Sequence, residues 1–352
     1  MVRKKILLII PELTMGGAQR SFSNLSIELA KVHQVWLVTF NRENKIAYPL
    51  GGELLSLDVV PKANVFHKLK SFVLRVIRLR ILKRTLRIDV SISFLEGADF
   101  VNVLSKATER IVLSIRGSKL HDETIVGQYF WLRNKVLIPW LYLKADVIVT
   151  VNQGTAYELE THYGLKKSNI VTIGNFYNAD EIDEQSRDSK TPSMARLYHD
   201  PVLITTGRLA PEKGLVPLIK IFYKLKISHV SLRLVMVGDG PCRAKLVELC
   251  NEFGLVLSTT EDFEVVPDVV LLGSQSNVFK YLKGAALYLM NSSSEGFPNG
   301  LAEAMICKVP VFSSDCPYGP REILAPEFPF SKPLATPYIS KKWNFIAHDQ
   351  NR

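Results

Sequence analysis

The stretch Ser292-Ser293-Ser294-Glu295-Gly296-Phe297-Pro298-Asn299-Gly300-Leu301-Ala302-Glu303-Ala304-Met305 sets two carboxylates, Glu295 and Glu303, with seven residues between them. Pro298 can open a helix, because its missing N–H is one that a first turn leaves unpaired anyway. Glu295 then falls in a loop and Glu303 in the early turns of that helix. Carboxylates held this way can accept hydrogen bonds from sugar hydroxyls, while the amides of the glycine-bearing loop face an anion. An acid at the position of Glu303 also complements the helix dipole, which is its bland use. A cationic pair lies upstream in Thr206-Gly207-Arg208-Leu209-Ala210-Pro211-Glu212-Lys213-Gly214. Arg208 offers a fork of donors and Lys213 a point charge, and both can converge on one phosphate. Near the N-terminus, Gly16 and Gly17 sit where a strand turns into a helix, a place where bare backbone can approach an anion closely. The pattern is not G-x-G-x-x-G, so a dinucleotide fingerprint is absent. Two further polar residues follow first-half strands: Glu96, and Arg116 in Ser114-Ile115-Arg116-Gly117-Ser118.

The elements that must position these groups read as alternating buried strands and helices. Short apolar runs at Ile6–Ile10, Val35–Phe40, Val90–Phe94, Ile111–Ile115, Val147–Val151 and Ile170–Ile173 predict a parallel sheet in the first half. Helical patterns over Ala18–Lys31 and Gly154–Tyr163 lie among them. The second half repeats the scheme at Val202–Thr206, Leu232–Val237, Val269–Leu272, Leu287–Met290 and Val309–Ser313. At 352 residues the chain fits two domains of roughly 150–180 residues. The fold class is therefore α/β: two Rossmann-like, doubly wound domains, 1–178 and 201–352, with ligands expected at the carboxyl ends of the strands in a cleft. Residues 179–200 carry Asp180, Glu181, Asp183, Glu184, Arg187, Asp188 and Lys190 and few apolar residues, and read as a solvated linker.

Composition bounds the function classes. Hydrophobic residues at 47% and charged residues at 22% exclude a largely disordered chain. No run approaches the ~18 apolar residues of a membrane span. The start Met1-Val2-Arg3-Lys4-Lys5 followed by Ile6–Ile10 imitates a signal peptide, but Pro11 and Glu12 end the apolar run after five residues. Cys242, Cys250, Cys307 and Cys316 show no C-x-x-C spacing and read as free thiols in a reducing compartment. The net charge of +10 is uneven. Residues 1–178 hold 25 Lys and Arg against 14 Asp and Glu, and the remainder holds 19 against 20. Nine cations and no acid lie between Val59 and Ile88: Lys62, Lys68, Lys70, Arg75, Arg78, Arg80, Lys83, Arg84 and Arg87. Phe72, Val76, Leu79, Leu82 and Leu86 interleave at helical spacing. Residues 62–87 thus predict a basic amphipathic helix suited to an anionic membrane surface, its apolar stripe turned to the lipid or to the core. The aromatics from Tyr129-Phe130-Trp131-Leu132 to Trp140-Leu141-Tyr142-Leu143 suit either an interface or a core. No nucleic-acid recognition motif accompanies the basic charge.

With Gly16-Gly17-Ala18-Gln19-Arg20, Gly207-Arg208-Leu209, Lys213-Gly214, Gly238-Asp239-Gly240-Pro241 and Ser314-Asp315-Cys316-Pro317-Tyr318-Gly319-Pro320-Arg321-Glu322, the glutamate-seven-glutamate segment resembles the retaining glycosyltransferases of family 4, of GT-B fold. The resemblance spans roughly residues 4–324. It implies that Arg208 and Lys213 bind the donor diphosphate and stabilise its departing charge. It further implies that Glu295 contacts the transferred sugar, with Gly296, Phe297, Pro298, Asn299, Gly300 and Leu301 around the donor. Glu303 would hold the ribose hydroxyls, Gly16, Gly17 and Gly207 would approach the phosphates, Arg116 would face the reacting centre, and Glu96 would lie on the acceptor side. No metal or cofactor is implied, because cations and helix ends neutralise the leaving group.

The expected activity is transfer, with retention, of a hexose or N-acetylhexosamine from a nucleotide diphosphate sugar, UDP-linked in the first instance, with GDP-mannose as a variant. The expected acceptor is a lipid-linked glycan or lipopolysaccharide precursor of a bacterial surface polysaccharide or glycan. The expected site of action is the inner, cytoplasmic face of the membrane. Relatives usually continue past Leu324 with a further strand and helices, whereas here 28 residues with four prolines follow, so the second domain reads as short. That shortness motivates a second reading, a non-catalytic nucleotide-sugar-binding subunit of a membrane glycosyltransferase complex.

Overall fold

The computed structural model describes residues 2–42, 46–60, 64–120, 127–328, 338–340 and 345–348. The chain divides into two compact units, Met1–Phe176 and Tyr177–Arg352.

The first unit is built on β1 (Lys5–Ile9), β2 (Gln34–Thr39), β3 (Glu53–Ser56), β4 (Val90–Phe94), β5 (Arg110–Ile115), β6 (Val147–Thr150) and β7 (Ile170–Thr172). They pair in parallel in the order β3-β2-β1-β4-β5-β6-β7. The helices are α1 (Gly17–Ala30), α2 (Val65–Leu86), α3 (Glu96–Leu104), α4 (Gln128–Leu132), α5 (Ile138–Tyr142) and α6 (Gln153–Thr161), with a π-helical segment, Arg133–Leu137, joining α4 to α5. Register aligns Leu7, Ser91 and Ile111, and then Ile9, Ser93 and Leu113, on one face of the sheet. That face carries α2, α3 and α5 through Leu79, Ala98, Val101, Phe100, Val103, Ile138 and Leu141. Ile6, Leu8 and Ile10 point to the other face, where Phe22 of α1 packs. The inner strands β1 and β2 are buried and apolar on both sides, as a doubly covered parallel sheet requires.

The second unit opens with α7 (Ala179–Ser186) and α8 (Pro192–Leu197) and continues with β8 (Val202–Thr206), α9 (Leu215–Ser228), β9 (Arg233–Val237), α10 (Arg243–Glu252), β10 (Leu257–Ser258) and β11 (Val269–Gly273). After these come α11 (Phe279–Leu282), β12 (Leu287–Met290), α12 (Asn299–Ile306), β13 (Val311–Ser314), α13 (Pro320–Leu324), β14 (Tyr338–Ser340) and β15 (Phe345–His348). The sheet order is β10-β11-β9-β8-β12-β13-β15-β14, parallel except for β14 against β15. In both sheets the strand order reverses beside the first strand, between β1 and β4 and between β8 and β12. Sheets of this kind bind ligands outside the strand ends at that reversal.

Two expectations are corrected. Residues 179–200 are not a solvated linker: α7 and α8 bury Ile182, Met194 and Leu197 in the second unit's core. The few apolar residues of that stretch fall at inward positions. Asn178 caps α7, and Asp180 and Glu181 complement its dipole from the first turn. Beyond Leu324, where the second domain was expected to be short, β14 and β15 extend the sheet, β15 pairing with β13.

Candidate functional site

In the second unit the loops that follow β8 and β12 meet at the sheet's reversal. Gly214, at φ +59, lets the two chains touch: a Cβ there would lie 2.1 Å from the Asn291 carbonyl oxygen. Asn291 Nδ2 donates to the Gly214 carbonyl at 2.9 Å, and the Ser293 amide donates to the Glu212 carbonyl at 2.8 Å. This lacing sets Lys213 Nζ 2.6 Å from Glu295 Oε1, and Ser292 Oγ donates to the same oxygen at 2.6 Å. Ser292 is itself fixed by Ser314 Oγ, which donates to its carbonyl at 2.7 Å. The structure therefore joins two predicted residues, Lys213 and Glu295, into one ion pair, with Ser292 as a partner that the sequence reading did not single out. Arg208 stands apart from them, pairing with Glu212 at 2.6 Å and largely exposed. Gly207, at φ +130, ends β8.

Glu295 leads into Gly296, Phe297 and Pro298, and α12 begins at Asn299. Gly300 is required at its place, since a Cβ would lie 2.4 Å from the Tyr288 hydroxyl and 2.5 Å from Thr206 Oγ1. The first turn of α12 is thus pressed against the ends of β8 and β12. Gly319, at φ +83, closes from the other side, where a Cβ would meet the Gly296 carbonyl oxygen at 2.7 Å. The Tyr177 hydroxyl donates to Asn299 Oδ1, and its ring lies 6.3 Å from that of Phe297. Leu301 points into the core, so of its groups only the backbone is available to a ligand. Glu303 is buried, 3% exposed, on the inward side of α12. Burial raises the thiol of Cys316 beside this loop, and the Glu295 carboxylate raises it further.

In the first unit Gly16 precedes α1 and Gly17 is its first residue; no side chain caps that N-terminus and no acid lies in its first turn. Such an N-terminus leaves backbone amides without intrahelical partners and carries partial positive charge. Arg116, after β5, donates to Asn175 Oδ1 and lies 5.3 Å from the Phe94 ring centre. Ser21 of α1 donates to the same Asn175 oxygen at 3.3 Å, which ties Arg116 to the helix that carries Gly17. Glu96 is held by Arg133, whose Nε lies 2.7 Å and 2.8 Å from its two oxygens, and by Lys119 Nζ at 3.5 Å. Arg133 and Lys119 were not singled out from sequence. They lie 37 and 23 positions further along the chain, and the π segment that turns Arg133 inward has no residue signature.

The basic helix is also sorted by the structure. Phe72, Val76, Leu79, Leu82 and Leu86 pack on the sheet, so the stripe expected to face lipid or core faces the core. A second stripe, Phe66, Leu69, Val73, Ile77 and Ile81, is exposed on the outward side. Of the cations, Lys83 is buried against Glu109 at 2.8 Å. Arg75 and Arg78 donate to the Val59 and Leu57 carbonyls. Lys68, Lys70, Arg80, Arg84 and Arg87 point outward, and Lys62 lies outside the described residues. Among the described residues no helix is long and apolar enough to cross a membrane, and no group of His, Cys, Asp and Glu is arranged to hold a metal.

Comparison with known proteins covers both units. The family model described as Glycosyltransferase Family 4 matches residues 15–181, and the one described as Glycosyl transferases group 1 matches residues 194–344. The second match runs past Leu324, further than the sequence resemblance did. An uncharacterised glycosyltransferase of Methanocaldococcus jannaschii is 33% identical over 214 residues, 60% of this chain and 50% of that protein. In Campylobacter jejuni, N-acetylgalactosamine-N,N'-diacetylbacillosaminyl-diphospho-undecaprenol 4-alpha-N-acetylgalactosaminyltransferase is 25% identical over 331 residues, 91% of this chain and 83% of the relative. The chain therefore spans half of one relative and most of the other. Among solved structures, Anabaena HepE with UDP and glucose superposes with a TM-score of 0.67 at 16% identity, over 92% of this chain and 83% of that one.

Proposed function

The chain belongs to glycosyltransferase family 4, and from that membership we propose that it moves a hexose or N-acetylhexosamine, with retention, from a UDP-sugar to a lipid-linked glycan acceptor. The observation that carries the proposal is the Lys213–Glu295–Ser292 constellation at the reversal of the second sheet. Lys213 would turn from Glu295 to the donor diphosphate, and Arg208 would leave Glu212 to join it, both neutralising charge as the nucleotide departs. Glu295, released from Lys213 but still held by Ser292, would accept hydrogen bonds from the sugar hydroxyls. The departing phosphate would help deprotonate the acceptor hydroxyl, so the bond from anomeric carbon to phosphate oxygen breaks as that to the acceptor oxygen forms. Glu303 would bind the ribose hydroxyls. In the first unit, Gly16 and Gly17 would offer the α1 amides to an anion, Arg116 would face the reacting centre, and Glu96 would lie on the acceptor side.

The lipid-linked acceptor is supported by two features. The Campylobacter relative is named for a diphospho-undecaprenol substrate. The outward side of α2 combines Lys68, Lys70, Arg80 and Arg84 with exposed apolar residues and no acid, and Arg87 follows at its end. Each cation near an anionic leaflet contributes about 1 kcal/mol. On this reading the protein works at the cytoplasmic face of the membrane in the assembly of a bacterial surface polysaccharide or glycan.

The test is a donor screen: purified protein with membranes and radiolabelled UDP- and GDP-sugars, beside Glu295→Ala. Lipid-extractable label from one UDP-sugar, lost in the variant, is the expected result. Label from a GDP-sugar alone would replace the nucleotide, and nucleotide-sugar binding without transfer would replace the reading by a non-catalytic subunit.

A further inference from the structure

The stretch from α4 through the π segment to α5 divides its residues cleanly. Arg133, Asn134, Ile138, Leu141 and Tyr142 are buried. Trp131, Leu132, Val136, Trp140 and Leu143 are exposed, the two tryptophans at 62% and 52%. The wider π turn lets Arg133 and Asn134 face inward together, so the residues on either side keep one outward face over the whole stretch. Lys135 lies within that face, and Lys144 Nζ sits 3.6 Å from the Trp140 ring centre. Two tryptophans left in water are unusual for a core-forming element. An amphipathic indole suits a boundary where one side is apolar and the other wet.

α5, which carries Trp140, lies in the same unit as α2. Both helices cover the same side of the sheet, α3 packs against each, and Phe72 of α2 shares a cluster with Ile138 and Leu141. The outward stripe of α2, led by Phe66 at 82% and Leu69 at 63% exposure, therefore belongs to the same helical layer as α5 with Trp140. Neither 64–87 nor 127–144 contains an acid, and the first unit carries 25 cations against 14 acids.

We propose that the Trp131–Leu143 face enters an anionic lipid leaflet beside α2, with the indoles of Trp131 and Trp140 at headgroup depth. The charge pattern favours lipid over a second copy of the chain, which would bring like charges together across the contact. The inference rests on the reading of a lipid-linked acceptor and adds a docking element to it. The α2 cations supply attraction at a distance, and the tryptophan face supplies apolar burial. Docking would bring the unit that carries Gly17, Arg116 and Glu96 to the plane where a lipid-linked acceptor resides.

Tryptophan emission tests this in a background carrying Trp343→Phe, because Trp36, the other tryptophan outside the face, is buried in the core. The protein is mixed with vesicles of phosphatidylcholine, or of phosphatidylcholine with phosphatidylglycerol, containing acyl-brominated lipid as quencher. The expected result with phosphatidylglycerol is a blue shift and quenching that disappear in Trp131→Ser/Trp140→Ser, with vesicle affinity falling about tenfold or more. Leu143→Asp, which introduces an acid into the same face, should weaken binding likewise, and an unchanged circular dichroism spectrum shows that the fold persists. Unquenched emission from protein that sediments with vesicles would overturn the proposal, as would absence of vesicle binding. A concentration-dependent dimer abolished by the tryptophan substitutions would assign the face to a second copy instead. Transfer to a short-chain, water-soluble acceptor separates this inference from the transferase reading: if the latter holds, the double variant keeps that transfer whatever the vesicles report.

Discussion

The two units wind their central strands in the same order, yet they treat charge differently. Among the described residues of the first unit six charged residues are buried: Lys83, Asp99, Glu109, Lys119, Arg133 and Glu158. Among the described residues of the second unit, Glu303 alone is a buried charge. Four of those six, Lys83, Glu109, Lys119 and Arg133, meet a partner of opposite charge. Lys83 meets Glu109 and also donates to Asn102, Arg133 and Lys119 hold Glu96, and Glu158 accepts from Ser118 and from the Lys119 amide. Charges taken out of water and paired in this way contribute little net stability but are costly to separate. The second unit instead keeps an ion pair at its candidate site, Lys213 at 26% and Glu295 at 9% side-chain exposure, within reach of a ligand. The difference teaches where a substitution should be felt: as lost stability in the first unit, and as lost activity in the second.

The sharpest way to break that comparison is at the candidate site of the second unit. Glu295→Ala and Lys213→Ala are each expected to lower turnover about 10²–10³-fold while shifting the unfolding free energy by no more than about 0.5 kcal/mol. A melting temperature that fell along with the rate would make the pair structural and erase the contrast. The complementary test is Lys83→Met. Burial pushes the Lys83 ammonium down to about 8 against the pull of Glu109, and removing it strands a buried carboxylate. The expected loss is about 3–5 kcal/mol, read from urea unfolding followed by far-ultraviolet circular dichroism. Adding Glu109→Gln should restore most of it, because no unpaired charge then remains. A single substitution as mild as a surface change would show that this network tolerates separation.

Legibility in the sequence follows the same division. The strands that flank the second site, Val202–Thr206 and Leu287–Met290, are short β-branched or apolar runs ended by polar or glycine residues, and their limits agree with the structure. β3 escaped notice because Glu53-Leu54-Leu55-Ser56 has neither β-branching nor alternation, its place being set by pairing with β2. The glutamates and glycines of the second site were readable because loop chemistry is local: a turn, a helix start and a few fixed spacings. Lys83 was not, since nothing nearby in sequence marks one of nine cations as internal; its partner Glu109 lies 26 positions away. The outward stripe of α2 was hidden for a related reason. The helix is apolar on two sides, and only packing on the sheet reveals which side remains in water.

The mildest expected effect concerns Asp99, on the sheet-facing side of α3. Burial raises its carboxyl to about 7, although Lys119 and the hydroxyls of Ser93 and Tyr142 pull the other way. The folded chain then keeps a proton that the unfolded chain releases near pH 4. Between roughly pH 4 and 7 the unfolded state binds fewer protons, so this group's contribution to stability declines as pH rises, by at most about 1.4 kcal/mol per pH unit. Asn at this position carries no charge, and its amide can exchange hydrogen bonds with both hydroxyls, each of which can donate or accept. Asp99→Asn is therefore expected to flatten the pH dependence of the first unit over that window and to raise its urea midpoint at pH 8 relative to pH 5. The contrast between the units sharpens if the variant leaves donor binding by the second unit unchanged. Equal falls in midpoint from pH 5 to pH 8 in parent and variant would mean that Asp99 is ionised throughout, held by Lys119 and its hydrogen bonds despite its burial.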